Sequence, residues 1–533
     1  MESQPRPLRV VMVVANRIDG DSRVQKAAQS MAEDGWDVHL VGFSATDKEE
    51  RYRQGDYRVH KCPLPEMAPP RTLRRRTARL RFPLAYAEAE RALEVPHKIR
   101  SGWIELDALR DERGAGRGGL LRFPRPAHRL GRKIQRAWLR RRAAQTEARE
   151  RFLAVEEGRL ERIERRWWTL LFGDRAWRRL DRNAHRIELA LRPKILKLKP
   201  DLIHAHDPYP LGVGARAAAR MRRQGRDVKL VYDAHEYVPG FDALPPDRLE
   251  ALTRLERRYL PGADAVVTVS RPLAALLRER HGLDREPAVV LNAPPAPDPD
   301  RPDPGDLRAS CGLGEDAPLA VYSGWASPER RIEVMIEAAR LVPELHLAFV
   351  VSRHKNPYVQ SLKALAAEYG MADRVHFRGY VPYADLTRFL ETADMGIHPM
   401  QTGPVNHEIA LPNKFFEYSH ARLPLVVSNV ATMSAEVRRL GNGEVFTSGD
   451  HESLAAAIRK ILADKDAYRK VYDDPGLLAE YSWERQARHY TALYEELLGA
   501  APANGAAPGP RQRDAAAAER EAAAPGDGRR ATA

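Results

Sequence analysis

Cysteine is nearly absent from this chain of 533 residues. Cys62 and Cys311 stand alone, and two thiols cannot staple a secreted scaffold, so they read as core or surface thiols in a reducing compartment. Long apolar runs are missing too: no stretch reaches the ~18 consecutive apolar residues of a membrane-spanning helix. The run Leu8–Ala15 is followed by polar Asn16-Arg17 instead of the small residues of a cleavage site, so it reads as a buried strand rather than a leader. Aromatic residues are few, but apolar residues reach 43% and charged ones 30%. That is enough for packed cores and excludes wholesale disorder. At ~150 residues per domain the length allows about three units. The expectation is a cytoplasmic, multidomain protein.

Acidic residues are scarce in one block only. The formal net charge is +14, yet residues 71–200 hold 36 basic and 16 acidic residues, and the remainder is net acidic. The positive charge therefore belongs to one surface element, and the whole-chain balance does not describe a nucleic-acid binder.

Leu8–Ala15, the helical spacing of Val24, Ala27, Ala28 and Met31, and Val38–Phe43 form a strand–helix–strand unit. The alternation breaks near Pro63–Pro70 and resumes through KPDLIHAHD, KLVYD, DAVVTVS and AVVLN, with helices expected over 210–223, 248–259 and 271–279. It restarts after a proline-rich acidic stretch with LAVYSG, HLAFVVS, VHFRG, MGIHP and LPLVVS, alternating with helices over 328–341, 357–369, 383–391 and 413–421. Two doubly wound domains follow. The expected boundaries are 1–292 for the first, carrying a basic helical insertion at about 68–175, then a linker over 293–306. The second domain spans 307–475, a returning helix 476–500, and a disordered tail 501–533.

Within the insertion, Leu153, Leu160, Ile163, Trp167 and Leu170 recur at helical spacing among arginines. Three readings fit: a solvated helical hairpin, an interfacial helix with Trp and Leu in a headgroup layer and Arg on anionic lipid, or a surface stacking on single-stranded nucleic acid. No nucleic-acid recognition module accompanies it, so nucleic acid is not an expected partner.

HAHD ends a strand, where doubly wound sheets place ligands. His204 and His206 have the spacing of two metal ligands on one strand face. Gly212 and Gly214, in GVGARA, with Asp233 about 20 residues on, match a dinucleotide fingerprint, although five residues separate the strand from the first glycine. Alternatively, the His-acid pairs His206-Asp207 and His235-Glu236, at neighbouring strand ends, handle a sugar hydroxyl.

In the second domain Ser327 and Pro328 suit a helix start. They would place Arg330 and Arg331 in the first turn, where cations oppose the helix dipole unless an anion is bound. Glu417, one turn into the helix that follows Pro412-Asn413, can accept two hydrogen bonds from a vicinal diol such as ribose. Phosphate-facing arginine and ribose-facing glutamate together describe a nucleoside diphosphate site.

The segments DSRVQKAAQSM, PDLIHAHD, VYDAHE, ADAVVTVS, VLNAPP, YSGWASPERRIE and LPNKFFEYSHARLPLVVSN, over residues 8–65 and 180–500, together resemble glycosyltransferase family 4. The resemblance implies an α/β chain of the GT-B fold, two Rossmann-like domains facing across a cleft, with the basic insertion as an addition. It implies a retaining hexosyltransferase that uses a nucleotide sugar and neither a cofactor nor a metal, with cationic side chains in the metal's role. Asp298-Pro299-Asp300 matches a metal motif by spelling only, inside the proline-rich linker.

By position, the resemblance places His206 near the reacting carbon, and the His-acid pairs add Asp207 and Glu236 to it as the expected catalytic residues. Arg330 goes to the diphosphate, Asn413 and Lys414 to the nucleotide and Glu417 to the ribose; Arg331 and Glu408, beside these positions, are expected as further donor contacts. Asp19, Asp21, Arg23 and His235 fall on the acceptor side. Ile409, Arg331 and Ser352 depart from the family pattern, in which the first is often glutamate and the other two glycine. Expected partners are the donor, a glycan or lipid-linked acceptor, and an anionic membrane surface through the insertion. The expected role is in glycoconjugate or cell-surface polysaccharide synthesis. A non-transferring relative, an epimerase or nucleotide sensor, is the alternative.

Overall fold

Continuous runs of Val, Ile, Leu and Ala must be covered on both faces, which parallel sheets flanked by helices achieve. The computed structural model describes residues 7–67, 72–114, 125–154, 158–242, 244–296, 301–351 and 356–499. Asp298–Asp300, Ser352 and the tail 501–533 lie outside them.

The first sheet has eight strands: β1 (Arg9–Val13), β2 (Asp37–Phe43), β3 (Glu50–Gln54), β4 (Tyr57–Cys62), β5 (Leu202–His206), β6 (Lys229–Ala234), β7 (Ala265–Thr268) and β8 (Ala288–Val289). Their order is β3-β4-β2-β1-β5-β6-β7-β8. All pairs are parallel except β3 with β4. That hairpin was not expected from the sequence, because β3 is a polar edge strand without an apolar run.

The second sheet has six parallel strands: β9 (Leu319–Ser323), β10 (His346–Val350), β11 (Val375–Arg378), β12 (Met395–His398), β13 (Leu425–Ser428) and β14 (Gly443–Phe446). They lie in the order β11-β10-β9-β12-β13-β14. The chain runs outward from β9 to one side and returns to β12 on the other, so the switch point lies between these two strands. The closing helix Trp483–Leu498 then packs back on the first sheet, placing Trp483, Tyr490 and Tyr494 in one core with Val10, Met12 and Val24.

Residues 67–182, with 244–251, form a separate compact unit. It holds α2 (Leu73–Arg81), α3 (Arg91–Gly114), α4 (Arg125–Leu153) and α5 (Arg159–Phe172); α1 (Ser22–Glu33) belongs to the first sheet's layer. Polar contacts join its helices. Arg74 Nη2 donates to Glu161 Oε2 at 2.6 Å, and Trp103 Nε1 to Gln135 Oε1 at 3.0 Å. The Arg142 guanidinium lies 3.7 Å from the Tyr86 ring centre. No residue of α5 is buried. No helix among the described residues is long and apolar enough to cross a membrane.

Candidate functional site

β5 and β6 pair in register with His206 opposite Asp233, which gathers the histidines around one buried carboxylate. Asp233 accepts from Arg23 Nε at 3.2 Å and Nη2 at 3.1 Å, and from the Tyr490 hydroxyl at 2.6 Å. His204 Nε2 and His206 Nδ1 lie 3.6 and 3.5 Å from it. Burial alone would raise the Asp233 carboxyl, but Arg23 and the histidines hold it well below the usual range. The Tyr494 hydroxyl bonds His204 Nδ1 at 2.6 Å. Burial, reinforced by His206, drives His204 down to about 3.

This arrangement corrects three sequence readings. Arg23 is turned inward: its remaining amine donates to the Val290 carbonyl at 2.8 Å, so it is a core cation and not an acceptor contact. Asp233 is occupied and fully buried, which removes the carboxylate a dinucleotide ribose would need. Gly212 and Gly214 lie inside the helix Pro208–Arg222, and a Cβ on either would press on Leu255 or on Ile203 and Leu230. They are packing glycines, not a phosphate turn. The ligand atoms of His204, His206 and Asp233 do lie within 4.8 Å of one another. The cation their charge calls for is already there, as the Arg23 guanidinium.

Nearer the strand ends the groups are less spent. His206 Nδ1 lies 3.2 Å from His235 Nε2, while its buried Nε2 has no hydrogen-bond partner among the described residues. His235 is opposed by burial, yet Asp207 and Asp233 lift it to about 9. Asp207 adopts φ 71° and ψ 170°, a region almost reserved for glycine and costing about 1–3 kcal/mol. Its carboxylate reaches His235 Nδ1 at 3.4 Å. Glu236 is exposed beside this group, and the charges acting on it include Asp207, His235 and Arg330 of the second sheet's domain. Of the residues expected on the acceptor side, Asp19 pairs with Lys61 at 2.8 Å and Asp21 caps α1.

In the second domain the expected helix 328–341 is shorter. A single 3-10 turn, Pro328–Arg330, precedes the helix Glu333–Ala339, and Ser327 makes no side-chain cap bond. Arg331, φ 47° and ψ 44°, separates the two, which is why a glycine suits that position. Arg330 and Arg331 therefore do not stand in an α-helical first turn, and the dipole argument made from the sequence falls. The cations gather by loop geometry instead. Gly324, φ 139°, ends β9 so tightly against Lys414 that a Cβ would lie 3.0 Å from Lys414 Cε. Arg330 has no carboxylate within ion-pair distance among the described residues, and Lys414 Nζ pairs with Glu417 at 2.5 Å.

Asn413 accepts from Asn292 Nδ2 at 2.7 Å, linking this helix to the end of the first domain. Glu408 accepts from the backbone N–H groups of Gly403 at 2.9 Å and Ala431 at 2.7 Å. It holds its loop and has little carboxylate left for a ligand. The next residues dock on the first domain, where Asn406 Oδ1 accepts from Tyr237 N–H at 2.7 Å and the Ile409 carbonyl from Ser270 Oγ at 2.9 Å.

The comparisons follow this division. The sequence model for glycosyl transferases group 1 matches residues 305–474, and that for glycosyltransferase family 4 matches residues 127–294. The chain belongs to the GT-B glycosyltransferases of the family 4 type. Among the relatives of this glycosyltransferase is the GDP-mannose-dependent alpha-(1-6)-phosphatidylinositol monomannoside mannosyltransferase of Mycolicibacterium smegmatis. It is 28% identical, over 51% of this chain and 72% of the relative. The D-inositol 3-phosphate glycosyltransferase of Geodermatophilus obscurus is also 28% identical, over 56% of this chain and 68% of the relative. Among solved structures, sucrose-phosphate synthase from Thermosynechococcus elongatus superposes with TM-score 0.56 at 16% identity, covering 92% of this glycosyltransferase and 99% of the other chain. The starch synthase IV catalytic domain of Arabidopsis thaliana gives 0.52 at 13% identity, with 93% and 100% covered.

Proposed function

We propose that this glycosyltransferase moves a hexosyl unit from a nucleoside-diphosphate sugar to an acceptor hydroxyl with retention, and without a metal. The observation that carries the reading is that Arg330 and Lys414 both act on His398 at the carboxyl end of β12, with Glu417 the carboxylate paired there among the described residues. Two cations with one carboxylate suit a diphosphate, and stabilising it as it leaves is the largest electrostatic demand of the reaction. Glu417 would exchange its Lys414 contact for the ribose hydroxyls as Lys414 turns to phosphate.

Across from them, His206 offers a free ring nitrogen, and His235, held by Asp207, keeps its proton at neutral pH. Of the carboxylates beside these histidines, Asp233 is buried and taken by Arg23 and Tyr490, and Asp207 is taken by His235, so no nucleophilic carboxylate is evident there among the described residues. The reading is a front-face displacement, in which the acceptor attacks from the side the diphosphate leaves. Two of the relatives above are named for a phosphatidylinositol monomannoside and for D-inositol 3-phosphate. Together with the exposed apolar residues of the unit 67–182, this favours a lipid-linked acceptor at an anionic membrane surface, in glycoconjugate synthesis.

Thermal unfolding of the full chain against UDP, GDP, ADP and their sugar conjugates tests the donor reading. Ligand at ~100 times its dissociation constant adds about 2.7 kcal/mol. Arg330→Met and Glu417→Ala are expected to weaken nucleotide binding about tenfold each, a loss of about 1.4 kcal/mol, and His206→Ala to lower turnover more than donor affinity. Variants with unchanged binding and turnover would overturn the assignment. The anomeric configuration of the product by NMR tests retention, and full turnover in chelator tests metal independence.

A further inference from the structure

One buried polar side chain in the second domain serves none of the roles above. β12 ends in His398, which is 2% exposed, and neither ring nitrogen has a hydrogen-bond partner among the described residues. Its ring lies nearly parallel to that of Tyr322, centres 6.3 Å apart and planes 17° apart. The two strands that carry them, β12 and β9, flank the switch point of the sheet. His398 and Tyr322 line a pocket together with Arg330, Gln401 and His407. Gln401 repeats the pattern. Its backbone carbonyl accepts from His407 Nδ1 at 2.8 Å, which anchors the loop, while its buried side-chain nitrogen has no partner. An unsatisfied buried polar group costs about 1–3 kcal/mol, and here three such atoms line one pocket.

The chemistry of the missing partner follows from charge. Burial, then Arg330 and Lys414, hold His398 well below the usual histidine range. It is therefore neutral, with one N–H donor and one lone pair. A neutral imidazole is a poor phosphate clamp beside two cations that already fill that role. One donor and one acceptor on the same ring match an alcohol, which gives and takes in the same way, and the Gln401 amide adds a second donor.

We propose that His398 and Gln401 recognise hydroxyl groups of the transferred sugar, next to the diphosphate held by Arg330 and Lys414. This rests on the donor reading above and assigns the sugar subsite to residues that the family resemblance had not named.

The test uses His398→Phe, which keeps the ring on Tyr322 and removes both hydrogen-bonding atoms, and Gln401→Met, which keeps chain length. Calorimetry on the full chain compares the nucleoside diphosphate that the unaltered protein binds best, among UDP, GDP and ADP, with its glucose, galactose and mannose conjugates. For each variant the expected result is free-diphosphate affinity within about twofold of the unaltered chain. Affinity for the preferred conjugate falls about tenfold, the scale of one lost hydrogen bond, and the preference among hexoses flattens. Equal losses for diphosphate and conjugate would overturn the proposal, as would no loss for either. If the unaltered chain bound none of these ligands, the donor reading itself would fall, and the sugar assignment with it.

Discussion

Arg23 and Trp167 break the same rule in opposite directions. Arg23 is a charge in the dry core of the first sheet, 3% exposed, whereas Trp167 is a large apolar ring 52% exposed on α5. The first violation is settled inside the chain: Asp233 takes the guanidinium and Tyr490 caps the carboxylate. The second is settled by nothing among the described residues. Of the 21 large apolar side chains exposed among the described residues, 14 fall within residues 67–182, and Trp167, Leu170, Leu171 and Phe172 follow closely on one helix. A scattered exposed leucine is ordinary, whereas these four are close together and bordered by Arg162, Arg166 and Arg175, the pattern on which a contact with an anionic surface is proposed. The interior satisfies its charge within the chain, and the exposed face of the added unit is what the proposed membrane contact rests on.

The comparison breaks most sharply at Arg23. Arg23→Met leaves a buried carboxylate without its cation and is expected to cost about 3–5 kcal/mol, read as a fall in thermal midpoint. Arg23→Met with Asp233→Leu is expected to recover most of that loss, because a buried ion pair is often replaceable by apolar residues of similar volume. On the other side, the triple change Trp167→Asp, Leu170→Asp and Leu171→Asp is expected to reduce co-sedimentation with phosphatidylglycerol vesicles about tenfold or more. Stability should stay within about 0.5 kcal/mol, as for exposed positions generally. Binding by the unaltered unit should weaken with salt; equal binding of both forms would return this surface to the solvated hairpin.

Proton linkage sharpens the buried side. His235 has a folded value of about 9, above the 6.5 of an unfolded histidine. Its contribution is fully present below pH 6.5 and is lost as pH rises toward 9. His204, near 3 when folded, contributes above pH 6.5 and loses that contribution as pH falls toward 3. Thermal midpoints should therefore peak near neutral pH, with each limb worth about 1–3 kcal/mol, and His235→Gln should flatten the alkaline limb alone. The smallest effect is Arg331→Gly. It relieves a left-handed backbone at an exposed turn and is expected to raise stability by about 0.5–1 kcal/mol, measurable by denaturant titration.

The strands were readable because parallel sheets demand apolar runs, and β1, β9 and β13 supply them nearly unbroken, while β5 and β6 carry short ones. The β3–β4 hairpin escaped because an edge strand needs no such run. The extent of the helix after Ser327 escaped for a different reason: a left-handed arginine is spelled like any other. Sequence spacing made Asp233 look like a ribose acceptor, since its true partners come from residues 23 and 490, far from any local pattern. Most of the site lay within motifs that could be quoted, but what each side chain is bonded to did not. His398 left a faint trace, a single polar residue closing the otherwise apolar strand MGIH. Nothing in that trace says that its ring lacks a partner.

The closing helix also sets an order of events in synthesis. Tyr490 reaches Asp233 across 257 residues, and at about 5–20 residues per second a ribosome needs roughly 13–50 s to make the stretch between them. Throughout that interval the newly made first sheet lacks the helix that covers Val10, Met12 and Val24, and the hydroxyl that caps its buried carboxylate. That apolar face stays uncovered on the nascent chain until residues 483–498 are made, so a message truncated before residue 483 yields a first sheet, though fully translated, that is left unsealed.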